Sequence, residues 1–413
     1  MLFANEIDIS YKKEVGIEDQ FSGGIDILNQ YLETAAKNNA ALKARFNEYN
    51  ATLEKIPQVG TLPDPLITFG YFIMPVETKN GPQQAKISFT QMFPWFGTLN
   101  SKEDILINAA KAKYEDFEEA KSNLFFEIKS NYYDLYFINK GIEITLENIR
   151  ILETFRRLAL IKIEAGTASG VDALRAEMEL ADLENNLALL KDNWYVNAVK
   201  FNNLLNVENN SNIQIPETLW IDDLAYSKQA VIDSLTINNH QLKSLDFMHL
   251  SFESNQRLAK KEGTPNIIIG ADYTSIGNNG LSPESGKDAL LIKVGITIPL
   301  YRKKYSAMVN EAILQQEIIE NKKVNKINVL ETFFEKVYSE YTDAGRRIIL
   351  FKKQSNLANR AIKLLENEYA SNGKNFEEIL RMDKSLLKYS LELEKARADK
   401  QAAIAFINYL MGK

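Results

Sequence analysis

A chain of 413 residues, 45% hydrophobic and 25% charged, is long enough for two or three ordinary domains and too apolar to be disordered. Its net charge of −6, with lysines and arginines interspersed among acids, excludes the basic face that a nucleic-acid partner requires. It has no cysteine, which excludes a disulfide scaffold, a thiolate metal site and a cysteine nucleophile.

Residues 1–23 read as an N-terminal extension. Met1-Leu2-Phe3-Ala4-Asn5-Glu6 shows neither a basic n-region nor a long apolar run, so the chain is either cytosolic or a mature form whose leader is gone and whose initiator methionine was added. Apolar runs elsewhere are short, as in Ala289-Leu290-Leu291-Ile292, whereas a spanning helix needs roughly 20 residues. Any membrane crossing therefore falls to strands.

From residue 24 the chain reads as two copies of one plan, 24–215 and 216–413. The first opens with a helical segment, 24–55, and two alternating strands, 66–74 and 86–93. In the first strand Ile67, Phe69, Tyr71 and Ile73 alternate with Thr68 and Gly70, and in the second Ile87 and Phe89 alternate with Ser88 and Thr90. No proline lies between Trp95 and Ile215. Positions there step by three and four along Leu124, Ile128, Asn131, Leu135, Ile138 and Ile142, apolar except for Asn131, a heptad seam that predicts a helical hairpin over 98–206. The turn falls at Gly166-Thr167-Ala168-Ser169-Gly170, where Ser169 can cap the returning helix. The second copy repeats this with a helix at 223–262, strands at 266–275 and 289–298, and a hairpin at 301–411 that turns at Ser371-Asn372-Gly373-Lys374-Asn375, with Asn375 as its cap. Pro94 and Pro299 are 205 apart, and Leu174 and Leu380, Asn202 and Asn408, and Leu204 and Leu410 are each 206 apart. Such a duplication is read before other fold signals.

The strands have the length of a tilted bilayer crossing, and Phe72, Phe93, Trp95, Phe96 and Tyr301 cluster at their ends, as rings do at a membrane interface. The loops at 75–85 and 277–288 are rich in Gly, Pro, Ser and Asn. Four strands cannot close a barrel and lipid tolerates no open edge, so insertion requires several copies. Enzyme motifs are missing: there is no phosphate loop, zinc motif or nucleophile elbow. The two histidines, His240 and His249, are nine apart, share no helix face and read as surface residues. No methionine cluster suits Cu(I), so neither cofactor nor metal is expected.

Leu62-Pro63-Asp64-Pro65, Gln91-Met92-Phe93-Pro94-Trp95-Phe96-Gly97, Glu164-Ala165-Gly166-Thr167-Ala168-Ser169 with Val171-Asp172-Ala173-Leu174, and Gly295-Ile296-Thr297-Ile298-Pro299-Leu300 together resemble the TolC family of outer-membrane efflux proteins. The Phe93-Pro94-Trp95-Phe96-Gly97 form resembles the branch that works with heavy-metal and cation exporters. The resemblance implies a mainly α protein with a small β part: long coiled-coil hairpins plus four strands per protomer. Three protomers would form a 12-stranded transmembrane β-barrel and an α-helical periplasmic tunnel in the Gram-negative outer membrane. It implies a passive exit duct for small molecules or metal ions, not an enzyme. The partners would be its own copies, outer-membrane lipid, a periplasmic adaptor and an inner-membrane pump. By the same resemblance, Glu378 with Arg381, and Asp172 with Arg175, fall at the periplasmic aperture, while Gly166, Thr167, Asn372 and Gly373 fall at tips that meet the adaptor. A soluble coiled-coil scaffold also accounts for the heptads, but gives no reason for alternating strands at matched places in both halves.

Overall fold

The structure is a computed structural model that describes residues 22–220, 222–280, 283–372 and 375–413. In chain order the elements are α1 (Ser22–Asn38), α2 (Ala40–Leu53), α3 (Ile56–Gly60), β1 (Leu66–Thr78), β2 (Gly81–Phe93), α4 (Thr98–Glu164), α5 (Gly170–Leu205), α6 (Lys228–Asn238), α7 (His240–Glu262), β3 (Ile267–Ile276), β4 (Ala289–Ile296), α8 (Arg302–Asn372) and α9 (Phe376–Leu410). Residues 1–21 of the N-terminal extension lie outside the described residues.

The proline-free stretches are helical throughout. The 67 residues of α4 and 71 of α8 give rods of roughly 100 Å at about 1.5 Å per residue. Isolated helices of this length have no intrinsic stability to spare, and tertiary packing carries them. α4 returns as α5 and α8 as α9, and the two hairpins pack along α4 and α9. The first turn closes as expected. Gly166 is left-handed, the Gly166 and Thr167 amides donate to Ile163 O and Lys162 O, and Ser169 Oγ accepts from the Val171 amide at 3.3 Å. The second differs: Asn375 makes no side-chain cap but sits left-handed, and its side-chain amide donates to Glu368 Oε1 at 2.8 Å.

Two helices expected to be continuous are broken. Asn39 separates α1 from α2, and Asn239 separates α6 from α7. Each asparagine does two things at once. Asn39 Oδ1 accepts from the Leu42 amide while its Nδ2 donates to Leu204 O; Asn239 Oδ1 accepts from the Gln241 and Leu242 amides while its Nδ2 donates to Leu410 O. The carbonyls so capped belong to the last turns of α5 and α9, at matched places in the two repeats. Those ends are themselves alike: Asn206 and Gly412 are both left-handed, and Val207 and Lys413 donate to Asn202 O and Asn408 O. The core below shows the same spacing. Leu124 and Leu330, Ile128 and Phe334, and Phe201 and Ile407 are matched buried pairs, the first of each pair in one apolar cluster and the second in another. A third cluster joins the two hairpins near their tips, around Leu152, Phe155, Tyr369, Phe376 and Ile379.

At the opposite end the four strands form one antiparallel sheet in the order β1-β2-β3-β4, so the two β-hairpins join through β2 and β3. β1 and β2 are longer than the sequence predicts. Pro75 reads as a strand end, yet β1 runs to Thr78 and turns over Lys79-Asn80 into Gly81. The proline is tolerated because β1 is an edge strand and the register shifts between Tyr71 and Val76, so its missing N–H breaks no ladder bond. Gly81 has φ 121°, and a Cβ there would lie 1.8 Å from Gly277 O, so glycine alone fits that turn.

Candidate functional site

Away from two register shifts, near Tyr71–Val76 and Gln83–Ala85, the pairing sorts the strand residues onto two faces. One face carries Ile67, Phe69 and Tyr71 from β1, Ala85, Ile87 and Phe89 from β2, Ile269, Ala271 and Tyr273 from β3, and Leu290, Ile292, Val294 and Ile296 from β4. These apolar side chains are uncovered: Phe69 is 70% exposed and Val294 73%. The other face is mainly polar, carrying Thr68 and Gly70, Lys86, Ser88 and Thr90, Asp272 and Thr274, and Lys293, with Leu66, Met92, Ile268 and Leu291 as its apolar members. A soluble sheet hides its apolar face and wets its polar one. This sheet leaves the apolar face bare, as a barrel with lipid outside and water inside does.

On the polar face Asp272 accepts from Lys86 at 2.8 Å and Lys293 at 2.7 Å, a bridge across β2, β3 and β4. Gly270 makes room for it, since a Cβ there would lie 2.6 Å from the Lys293 stem. The periodicity of the strands places these three residues on one face; only the register brings them together.

Of the expected interface aromatics, Trp95, Phe96 and Tyr301 are exposed and Phe93 ends β2 beside Ile267, all at the helix end of the sheet. Trp95 and Phe96 meet edge to face at 5.8 Å. Phe72 is a correction: with β1 running to Thr78 it lies in mid-strand, not at a strand end.

At the far end, the expected i,i+3 pairs form. Arg381 Nε donates to Glu378 Oε2 at 3.1 Å, and Arg175 lies 3.9 Å from Asp172. Both partners of the first pair are well exposed, so it is worth about 0.2–1 kcal/mol. Arg175 makes a closer contact that spacing along one helix does not reveal: its guanidinium reaches Glu377 of the other hairpin at 3.0 Å. Glu179 and Lys384 form a second bridge between α5 and α9, at 3.2 Å, with the charges reversed. Lys162 donates to Ala370 O at 2.7 Å and ties the ends of α4 and α8 together. Burial holds the Asp172 carboxyl above its usual range, against the pull of Arg175 and with a further push from Glu377.

The tip residues Gly166 and Thr167 are exposed, and a Cβ at Gly166 would meet nothing within 4 Å. Gly373 and the side chain of Asn372 lie outside the described residues. His240 corrects the surface reading: its ring is largely covered and pairs with Glu115 at 2.7 Å. His249 is partly buried too, 3.2 Å from Glu320. Neither gathers a ligand set, and among the described residues no group of three or more His, Asp or Glu side chains is arranged to hold a metal. No described helix is long and apolar enough to cross a membrane.

Known proteins carry the same architecture. Residues 69–207 match the family model described as outer membrane efflux protein. Toxin and drug export protein A of Aggregatibacter actinomycetemcomitans is 23% identical over 283 residues, 67% of this chain and 60% of that protein. The chain thus spans about three-fifths of that relative. Among solved structures, the outer-membrane channel OprN superposes with a TM-score of 0.79 at 16% identity, covering 96% of this chain and 92% of that one. The Campylobacter jejuni CmeC outer membrane channel does so with 0.76 at 13%, covering 98% and 90%. The resemblance read from short motifs is borne out, and the fold is that of these channels.

Proposed function

From that fold, and from the outer membrane efflux segment within it, we propose that this chain is one protomer of an outer-membrane exit duct that lets small molecules or ions pass from the periplasm to the exterior. The observation that carries the reading is the four-stranded sheet, bare on its apolar face and polar on the other, standing at one end of hundred-ångström hairpins. A soluble scaffold has no use for such a sheet. The duct is passive and carries out no chemistry. Its energy comes from an inner-membrane pump, reached directly or through an adaptor that docks at the tips around Gly166 and Thr167 and around Asn372 and Gly373.

The duplication supports ring closure. Ile151 and Leu158 of α4 and Leu380 of α9 pack into the tip cluster where the hairpins meet. Their counterparts in the other repeat, Leu357 and Leu364 of α8 and Leu174 of α5, are 53%, 72% and 61% exposed. Gln354, the counterpart of Asn148, has a buried Oε1 with no partner. A second copy that sets its α5 against this α8 repeats the α4–α9 joint and covers all four. Three copies close a 12-stranded barrel. Cysteines at Leu174 and Leu364 should therefore crosslink between chains under mild oxidation and yield covalent trimers on a denaturing gel. Crosslinks confined to single chains would remove this interface.

The aperture lies at the opposite end from the sheet. Glu378 attracts cations there, and Arg175 and Lys384 hold the hairpins together through Glu377 and Glu179. Reconstituted into planar lipid bilayers, the protein should form discrete, long-lived channels whose cation preference falls in Glu378→Ala. Arg175→Gln breaks one exposed bridge per copy, about 0.2–1 kcal/mol each, and should raise the open-to-closed ratio roughly 3- to 150-fold over three copies. Unchanged selectivity and gating would keep the duct and dismiss the aperture assignment. Folded trimers that never insert would return the chain to the coiled-coil reading.

A further inference from the structure

Asp383 of α9 is only 2% exposed and lies in the joint between the hairpins, one turn beyond the aperture pair. Its Oδ2 accepts from Asn148 Nδ2 of α4 at 2.9 Å. Its Oδ1 is buried with no hydrogen-bond partner. Beside it is a cavity of about 290 Å³, lined by Asn148, Glu179, Asp182, Asn186 and Lys384 among others. The charged and titratable groups around Asp383 do not neutralise it. On α5 they are Glu179 and Asp182, on α8 Glu366, and on its own helix Lys384, whose ammonium is already taken by Glu179. On α4 the facing polar group is the neutral Asn148. A buried carboxylate without a cation is expensive, and its neutral form can turn the free oxygen into a donor toward the cavity.

We propose that Asp383 is a proton-operated latch at the inner end of the tunnel: protonated, it lets α9 pack on α4 and keeps the hairpins together, and ionised, it favours their parting and the hydration of the cavity. The latch rests on the aperture reading above and adds a control to it.

The sign follows from burial. Desolvation, opposed by the Asn148 hydrogen bond and reinforced by Glu179 and Glu366, pushes the Asp383 carboxyl up to about 6. Once the hairpins part and water reaches it, the group returns to the ordinary aspartate range near ~4. Below that range both arrangements are protonated and the packed one carries no penalty. As pH rises through the window from about 4 to about 6, the parted arrangement gains by ionising, and above 6 the advantage is constant. Low pH closes the tunnel and neutral pH loosens it.

The test is conductance of the full-length protein in planar bilayers between pH 4.5 and 7.5, wild type beside Asp383→Asn. Wild-type open probability should fall at least ~tenfold on going from pH 7.5 to 4.5. Asp383→Asn, which keeps the shape and mimics the neutral acid, should stay low and level across the range. A second readout is the thermal unfolding midpoint by circular dichroism, expected to be higher at pH 5 than at 7.5 in the wild type, with that difference reduced in Asp383→Asn. A variant that keeps the wild-type pH profile in both measurements overturns the latch and leaves the duct intact. Trimers that insert but conduct at no pH overturn the duct, and the latch with it.

Discussion

Arginine at Ile292 should keep the protein out of the membrane. Ile292 is 72% exposed on the bare apolar face of β4, opposite Ala271 and in the middle of the strand. If that face meets lipid, each arginine near the bilayer midplane costs about 2–4 kcal/mol. If three copies enter together, as proposed above, the trimer would lose roughly 6–12 kcal/mol of insertion free energy, enough to abolish heat-modifiable trimers in the outer-membrane fraction. The matched control is Thr68→Lys. Thr68 pairs with Ser88 on the polar face, beside Lys86, where an ammonium finds water and where the same kind of change should be tolerated. The contrast between the faces is the content of the prediction. Equal insertion of both variants would mean that the apolar face is covered by protein rather than lipid.

The second large effect is expected at the asparagine joints. Asn239 is 1% exposed, caps α7 through its oxygen and satisfies Leu410 O through its nitrogen. Asn239→Ala removes a cap, about 1 kcal/mol, and strands a buried carbonyl, a further ~1–3 kcal/mol. A loss of about 2–4 kcal/mol is therefore expected, read as a lower midpoint in denaturant with an unchanged slope. Asn239→Asp keeps the capping acceptor but sets a second, buried and charged acceptor against Leu410 O, so it should be no milder than alanine. Asn39→Ala should be milder, because Leu204 O is capped nearer the surface. A loss at Asn239 no larger than that of an ordinary surface substitution, about 0.5 kcal/mol, would show that water replaces the side chain at Leu410 O.

These joints mark where the sequence stops being legible. The hairpins could be read because proline is absent over long stretches and apolar residues step by three and four; the strands could be read because their side chains alternate. Asn39 and Asn239 could not, since an asparagine inside a helical pattern looks like any other polar position until its amide finds a carbonyl far along the chain, at Leu204 or at Leu410. Pro75 misled for the opposite reason. It is a reliable breaker inside a sheet, and the register shift between Tyr71 and Val76 leaves its position unpaired with β2. The i,i+3 pairs Glu378–Arg381 and Asp172–Arg175 follow from spacing along one helix, whereas the Arg175–Glu377 and Glu179–Lys384 bridges depend on how two hairpins lie against each other. Asp383 shows this most clearly. In sequence it is one acid among many on a charged helix, and its burial, its orphaned oxygen and its neighbour Asn148 exist only after α4 and α9 have docked.

The seam between β2 and β3 has a consequence for how the molecule comes into being. Each β-hairpin pairs strands that are neighbours in the chain, and each helical hairpin turns back on itself, so the contacts within each of the four are closer in sequence than those of the seam. The seam is different, because pairing Phe93 with Ile267 loops out the whole segment from 94 to 266. Closing such a loop from an unfolded chain costs about 4–5 kcal/mol of entropy. Docking of α4 against α7 and α9 removes most of that loss in advance, since it brings the feet of both β-hairpins side by side before they touch. The helical body is thus the template on which the sheet is assembled. On this topology the helical body is expected to form before the seam between the half-sheets.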